Sequence, residues 1–300
     1  MNMIEFRSVT KRFGDFTALS SLDLHVPQGA VYGLIGPNGA GKTTTIRCLT
    51  GMLRPDEGEV MLSEEPVWEN EPVKERFFCI PDEPFYFPLA TTRDMMRFYA
   101  RIYPRFDAGR FERLKEAFAI DENRPIRRLS RGMQKQTAFW LALSARPEVL
   151  ILDEPVDGLD PVMRRQVWSL ILSDVAESET TVLVSSHNLR ELEDVCDHVG
   201  ILDHGRCRRE SSVADLQENI VKVVLALPEG AALPEGLTVM NHTVTGRLHT
   251  LIVRGSAGKV RARLEAVEPL FMDTQPLTLE EIFVYEMGGA DYAVKERLLG

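Results

Sequence analysis

The sequence predicts an α/β chain with a parallel sheet in its core, followed by a small C-terminal α+β domain. Three observations carry this. Residues 30–35, AVYGLI, form an apolar run that passes through a glycine-rich turn into the helical stretch 42–50. Residues 149–152 (VLIL) and 180–186 (TTVLVSS) are short, bulky and largely β-branched, as strands covered on both faces are. From about residue 219 the texture changes to the alternating segments VKVVLAL, LTVMNHTV and LHTLIVRG, separated by PEG and GSAG turns.

Taken in order, the N-terminal MNMIEFRSVTKRFGDF has no apolar core behind a basic start, so it does not read as a secretory signal. No uncharged apolar run approaches the ~18 residues needed to cross a bilayer, so any membrane role requires another chain to do the spanning. Between about 85 and 146 the pattern is mostly helical: DMMRFYARIY and RFERLKEAFAI carry apolar residues at three- and four-residue spacing, broken by Pro104 and the polar DENRP loop. Helix 161–175 has Asp160 placed to cap it and Pro161 in its first turn. A strand, a helix and a strand in succession imply a right-handed crossover within one parallel sheet. The stretch ALPEGAALPEGL holds two ALPEG copies, but over so short a span it reads as a turn-rich linker between strands. The expected organisation is a domain over 1–217, with a helical subdomain over about 85–146, and an accessory domain over 218–300.

A net charge of -10 argues against a protein whose main task is to hold duplex nucleic acid, and no nucleic-acid partner is expected. Cys48, Cys79, Cys196 and Cys207 include no close-spaced pair, which fits neither a zinc site nor a disulfide framework and suggests a reducing cytosol.

Residues 36–43, GPNGAGKT, satisfy the phosphate-loop pattern G-x-x-x-x-G-K-(S/T) in its required setting between strand and helix. Gly36, Gly39 and Gly41, with Asn38 and Ala40 between them, let several backbone N–H groups converge on one anion at a helix N-terminus. Lys42 is expected to reach the β and γ phosphates of ATP, Thr43 to offer its hydroxyl to Mg²⁺, and Thr44 to bond a neighbouring phosphate oxygen. Such a site needs a second acid from a strand end beside the loop. VLILDEP supplies Asp153 for the metal side.

With these residues in view, about 3–217 of the chain resembles the ATP-binding subunits of ABC transporters. GPNGAGKT resembles their Walker A loop, LSRGM (129–133) the signature motif, VLILDEP the Walker B strand, GLDP (158–161) the D-loop and SSH (185–187) the switch histidine, all in the family's order. The resemblance implies a P-loop ABC cassette with a mixed core sheet and a helical subdomain, whose two copies sandwich ATP head to tail, Ser130 and Gly132 of one capping the γ-phosphate held by the other. It makes Glu154 the general base, His187 its link to the γ-phosphate, Lys42 a catalytic contact and Asp160 a bridge near the signature motif. Phe13 matches the aromatic that stacks on adenine; the alternative for it is a half-buried strand aromatic. Arg131 and Met133 depart from the usual LSGGQ, while Ser130 and Gly132 are kept.

A second departure lies in FFCIPDEPFYFP, where Asp82 stands at the position of the family's Gln. A carboxylate there would place a third acid near the metal, beside Asp153 and Glu154. The alternative is that Asp82 and Glu83 solvate a loop. Phe85, Tyr86 and Phe87 lie where cassettes of this family receive a cytoplasmic helix of the membrane subunit, and some of that group is expected to pack internally. The region 219–300, including LTLEEIFVYEMGG, loosely resembles a C-terminal extension of some cassettes, with dimer support or regulation as its expected role. The expected function is an ATPase subunit at the cytoplasmic face of the cell membrane. It would pair with a second ATP-binding subunit and power a separate permease, with export favoured. The competing reading is a soluble cassette ATPase acting on the ribosome or nucleic acid. Those proteins generally carry two cassettes or a long coiled coil, and this chain has one cassette.

Overall fold

Val31–Ile35 is buried at all five positions, and it lies parallel to both of its neighbours, Thr181–Ser186 and His198–Asp203. Val149–Asp153 pairs in parallel with Thr181–Ser186 on one side and with Phe77–Ile80 on the other. With Arg206–Ser212 at the far edge these six strands form one sheet. Bulky residues such as Val149, Ile151, Leu183 and Val184 fill both of its faces, as a covered parallel sheet requires. In this computed structural model, which describes residues 1–228 and 231–286, the expected strands at 30–35, 149–152 and 180–186 all form, and the helix between the last two runs Pro161–Ser178.

A second sheet, antiparallel throughout, is made by Phe16–Pro27, Asn2–Phe13, Glu57–Leu62 and Glu65–Pro66, in that spatial order. The two long N-terminal strands shift register at several points, so their alternation is irregular. Helix Lys42–Leu49 packs between the sheets. Its Ile46 and Leu49 share one core with Phe6, Leu22 and Leu24 of the antiparallel sheet and with Leu34, Ile151 and Leu183 of the parallel one.

The helical segment begins at Thr92, and residues 81–90 before it are irregular. Thr91 and Asp94 form a reciprocal cap on helix Thr92–Ile102, and Asp107 caps helix Ala108–Phe118 by accepting from Arg110 N–H. The third helix, Arg131–Ala145, is buried along nearly its whole length. Its Trp140 stacks on Phe111 at 4.4 Å between centroids and donates Nε1–H to the Phe111 carbonyl at 2.8 Å.

The described chain divides into two compact units, Met1–Asn188 with Val195–Glu210, and Leu189–Asp194 with Ser211 onward. The change at Ser211 falls somewhat before the 217/218 boundary read from texture, because helix Val213–Asn219 belongs with the second unit. That unit has an antiparallel sheet in the order Thr238–Thr245, Leu248–Arg254, Ile220–Ala226, Phe271–Pro276. Val223, Leu225, Leu251 and Val253 form its core with Val260 and Leu264 of helix Ala257–Glu265. Glu229 and Gly230 of the ALPEG repeat, and the last residues of LTLEEIFVYEMGG from Met287, lie outside the described residues, as does the rest of the accessory domain from 290 to 300. No helix among the described residues is long and apolar enough to cross a membrane.

Trp140 joins two helices by stacking and by a buried hydrogen bond, so Trp140→Ala is expected to cost about 3–5 kcal/mol. Chemical denaturation of the full chain measures this; a loss under about 1 kcal/mol would mean that Trp140 does not organise the helical segment.

Candidate nucleotide site

The loop after Val31–Ile35 turns so tightly that a Cβ on Gly36 would stand 2.4 Å from the Leu202 carbonyl oxygen. Only glycine allows that approach. Gly41, at φ 110°, is the residue from which helix Lys42–Leu49 starts. Ala40 is buried at the base of the turn, while Asn38, Gly39 and Thr43 are exposed around it and Thr44 is half-buried. Lys42 is itself buried, and its Nζ donates to the carbonyls of Gly36 at 2.7 Å and Pro37 at 3.3 Å. Burial lowers the Lys42 pKa, and the nearby carboxylates of Glu154 and Asp153 oppose that shift.

Those two acids end the neighbouring strand in different environments. Asp153 is buried and accepts from Ser185 Oγ–H at 2.5 Å across the strand pair. Glu154 leaves the strand with φ 46°, a left-handed conformation that costs a residue with a side chain about 1–2 kcal/mol and persists where its surroundings determine it. Its N–H donates to the Ser185 carbonyl at 3.1 Å. The turn directs its carboxylate to His187, whose Nδ1 lies 2.9 Å from Glu154 Oε2 and whose backbone N–H donates to the same oxygen at 3.4 Å. Glu154, Asp157 and His187 present potential ligand atoms within 4.8 Å of one another.

The signature segment is tied to the same strand end from the other side. Ser130 caps helix Arg131–Ala145 by accepting from Met133 N–H at 3.2 Å, which leaves the first turn of that helix with the N-terminal character expected of an anion site. A Cβ on Gly132 would lie 2.8 Å from the Gly158 carbonyl, so the D-loop packs directly on this turn. Asp160 caps Pro161–Ser178 by accepting from Val162 and Met163 N–H, both at 3.0 Å. Lys135, buried on the same helix as Gly132, donates to the carbonyls of Glu154 at 2.7 Å and Asp157 at 3.2 Å.

Lys42, Asp153, Glu154 and His187 thus form one constellation, and Ser130, Gly132 and Asp160 belong to the adjoining signature and D-loop group. Phe13 ends strand Asn2–Phe13 and is 47% exposed, with Lys11 Nζ 5.8 Å from its ring centroid, so its ring is free to act as a stacking face. The Asp82 carboxylate lies 3.4 Å from Lys135 Nζ. The aromatic group divides. Tyr86 is buried and donates its hydroxyl to the Gln134 carbonyl at 2.6 Å, whereas Phe85 and Phe87 are exposed and meet edge to face.

Ser185 and Lys135 did not stand out as chemistry in the sequence. Ser185 lay within the switch segment, but its pairing with Asp153 depends on strand register. Lys135 carried a signal, being the sole charged residue in an otherwise neutral stretch, 134–145. A charge at a buried helical position is rare without a paired role.

A glycine loop at a helix N-terminus, a buried lysine, and a strand-end acid pair with a histidine define a P-loop nucleotide hydrolase. The comparisons with known proteins agree and are more specific. The ABC transporter family profile matches residues 19–157. ABC transporter ATP-binding protein YtrB of Bacillus subtilis is 29% identical, over 96% of this chain and 99% of that protein. Nod factor export ATP-binding protein I of Burkholderia lata is 32% identical, over 94% and 95% respectively. Daunorubicin resistance ATP-binding protein DrrA3 of Streptomyces coeruleorubidus is 35% identical, over 95% and 96%. A solved ATP-binding subunit of an ABC transporter superposes with a TM-score of 0.67 at 26% identity, covering 72% of this chain and 92% of that one. The chain belongs to the ABC transporter family as an ATP-binding subunit, and it is an ATPase.

Gly36→Ala is expected to displace the phosphate loop and weaken ATP binding about tenfold or more, equivalent to ~1.4 kcal/mol. Equilibrium titration with a fluorescent ATP analogue reads this, and unchanged affinity would show that the close approach to Leu202 does not shape the loop.

Proposed function

We propose that this subunit powers export through a separate membrane permease. In this reading it is a peripheral protein on the cytoplasmic face of the cell membrane, closing with a second ATP-binding subunit around ATP. Support for export comes from relatives named for Nod factor export, daunorubicin resistance and bacitracin transport. Support for hydrolysis comes above all from one contact, His187 Nδ1 at 2.9 Å from Glu154 Oε2, at the strand end beside the phosphate loop.

The loop fits a polyphosphate: open space lies beside Gly39, and the loop leads into the N-terminus of helix Lys42–Leu49, whose first N–H groups have no partner within the helix. Gly36, Asn38, Gly39, Ala40 and Gly41 would hold the phosphates through backbone N–H groups, Lys42 through its ammonium and Thr44 through its hydroxyl. Phe13 would stack on the adenine. Asp153 and the Thr43 hydroxyl are hard oxygen donors of the kind Mg²⁺ takes, and the bound ion would neutralise charge on the β and γ phosphates.

Glu154 orients the attacking water through a hydrogen bond and, as general base, takes one of its protons. The new bond joins the water oxygen to the γ-phosphorus, the bond to the β–γ bridging oxygen breaks, the proton on Glu154 passes to the phosphate product, and ADP leaves. His187 holds the Glu154 carboxylate in line. Ser130 and the N–H groups near Gly132 would cap the γ-phosphate of the ATP on the other subunit, with Asp160 close to that junction. Exposed Phe85 and Phe87 offer an apolar surface to the permease, the side-chain type enriched at the centres of protein interfaces.

Glu154→Gln keeps the shape and removes the base, so turnover is expected to fall about 100-fold or more while ATP still binds. The variant should accumulate as an ATP-bound dimer in size-exclusion chromatography with light scattering. A monomer at saturating Mg-ATP would contradict the two-subunit sandwich.

A further inference from the structure

Lys135 is a buried ammonium with a partner for each of its three N–H donors. Two go to backbone carbonyls, Glu154 at 2.7 Å and Asp157 at 3.2 Å, and the third faces the Asp82 carboxylate at 3.4 Å. The carbonyl partners bracket the chain Glu154-Pro155-Val156-Asp157, so one side chain spans the turn that carries the catalytic acid into the D-loop. Within that turn Glu154 sits at φ 46°, with its N–H on Ser185 and its C=O on Lys135. These two bonds fix the peptide planes on either side of the residue whose carboxylate meets His187.

The third bond differs in kind. Lys135 is 6% exposed at its side chain, but Asp82 is 61% exposed and stands at the head of the irregular segment that also carries Phe85 and Phe87. A cleft of about 400 Å³, lined by Asp82, Glu83, Arg131 and Lys135 among others, opens this pair to solvent. An ion pair that is long and open to solvent on its Asp82 side is weak and easily broken, whereas the bond to the Glu154 carbonyl is short and charge-assisted.

We propose that Lys135 is a positioning residue for hydrolysis, holding the backbone from which Glu154 projects, and that Asp82 is its adjustable counter-charge. Movement of the segment from Asp82 to Phe87 would change the charge balance at Lys135, and through it the placement of Glu154. Asp82 then acts on the acid's support and not on the metal. The inference rests on the reading of Glu154 as the group that directs the attacking water.

Steady-state and single-turnover ATP hydrolysis by the full chain tests it. Lys135→Met should lower kcat about 10- to 100-fold, the scale of a misplaced catalytic group, with KM for ATP within about threefold of the parent. Lys135→Arg, which keeps the charge, should recover most of the loss. In the Glu154→Gln background Lys135→Met should add nothing, because its effect passes through Glu154. Asp82→Asn should lower kcat roughly two- to fivefold, the scale of an exposed pair, and leave the Mg²⁺ dependence superimposable.

A Lys135→Met protein with normal kcat, or one equally impaired in the Glu154→Gln background, would overturn the positioning role. A shifted Mg²⁺ curve for Asp82→Asn would move Asp82 to the metal and overturn its role as counter-charge. Should Lys135→Met fail to fold, an unchanged kcat in Asp82→Asn, a substitution on an exposed side chain, overturns the coupling. A Glu154→Gln protein that turns over normally removes the reading of Glu154 and this inference together. An inactive Glu154→Gln with an active Lys135→Met removes this inference alone.

Discussion

Everything at the nucleotide site depends on the register of three adjacent parallel strands. Ile35 lies opposite Ser186, and Asp153 opposite Ser185, so Val31–Ile35, Thr181–Ser186 and Val149–Asp153 end at one level. The phosphate loop, His187 and the Asp153–Glu154 pair therefore emerge side by side, although they are far apart in sequence. Open α/β sheets place ligands outside the carboxyl ends of their strands for this reason. A slip of one residue would put the apolar Leu152 where Asp153 meets Ser185 and would scatter the site.

That geometry explains why two adjacent carboxylates are tolerated at the end of a buried strand. The pleat sends successive side chains to opposite sides, and the left-handed turn at Glu154 separates them further. Asp153 remains inside with a serine hydroxyl to satisfy it, and Glu154 turns out to a histidine. Lys42, close enough to both for their charge to be felt, offsets part of the repulsion between them. The cost of the left-handed residue is met locally by hydrogen bonds to its backbone, including the one from Lys135.

The features legible in the sequence were those encoded in short stretches. GPNGAGKT, the VLIL strand, the cap at Asp160 and the alternating strands after 219 each carry their signal within a dozen residues. The N-terminal hairpin was harder to read because its register shifts break the two-residue period over Asn2–Phe13 and Phe16–Pro27. Contacts of the site that join distant segments were not legible at all. Ser185 with Asp153 and Lys135 with residues 82, 154 and 157 exist only once the sheet and the signature helix are assembled. The contact of Asp82 with Lys135 belongs to the same group, since it joins the segment after Phe77–Ile80 to the signature helix.

The proposed hydrolysis depends on Glu154 and His187 working as one unit at the strand ends. The most direct measurement is a double-mutant cycle on kcat, comparing Glu154→Gln, His187→Ala and the pair in the full chain. If the two act as a unit, the double variant is no slower than the slower single variant, because removing either member already disables both. Losses that multiply would mean independent contributions and would contradict the shared site derived from the strand register.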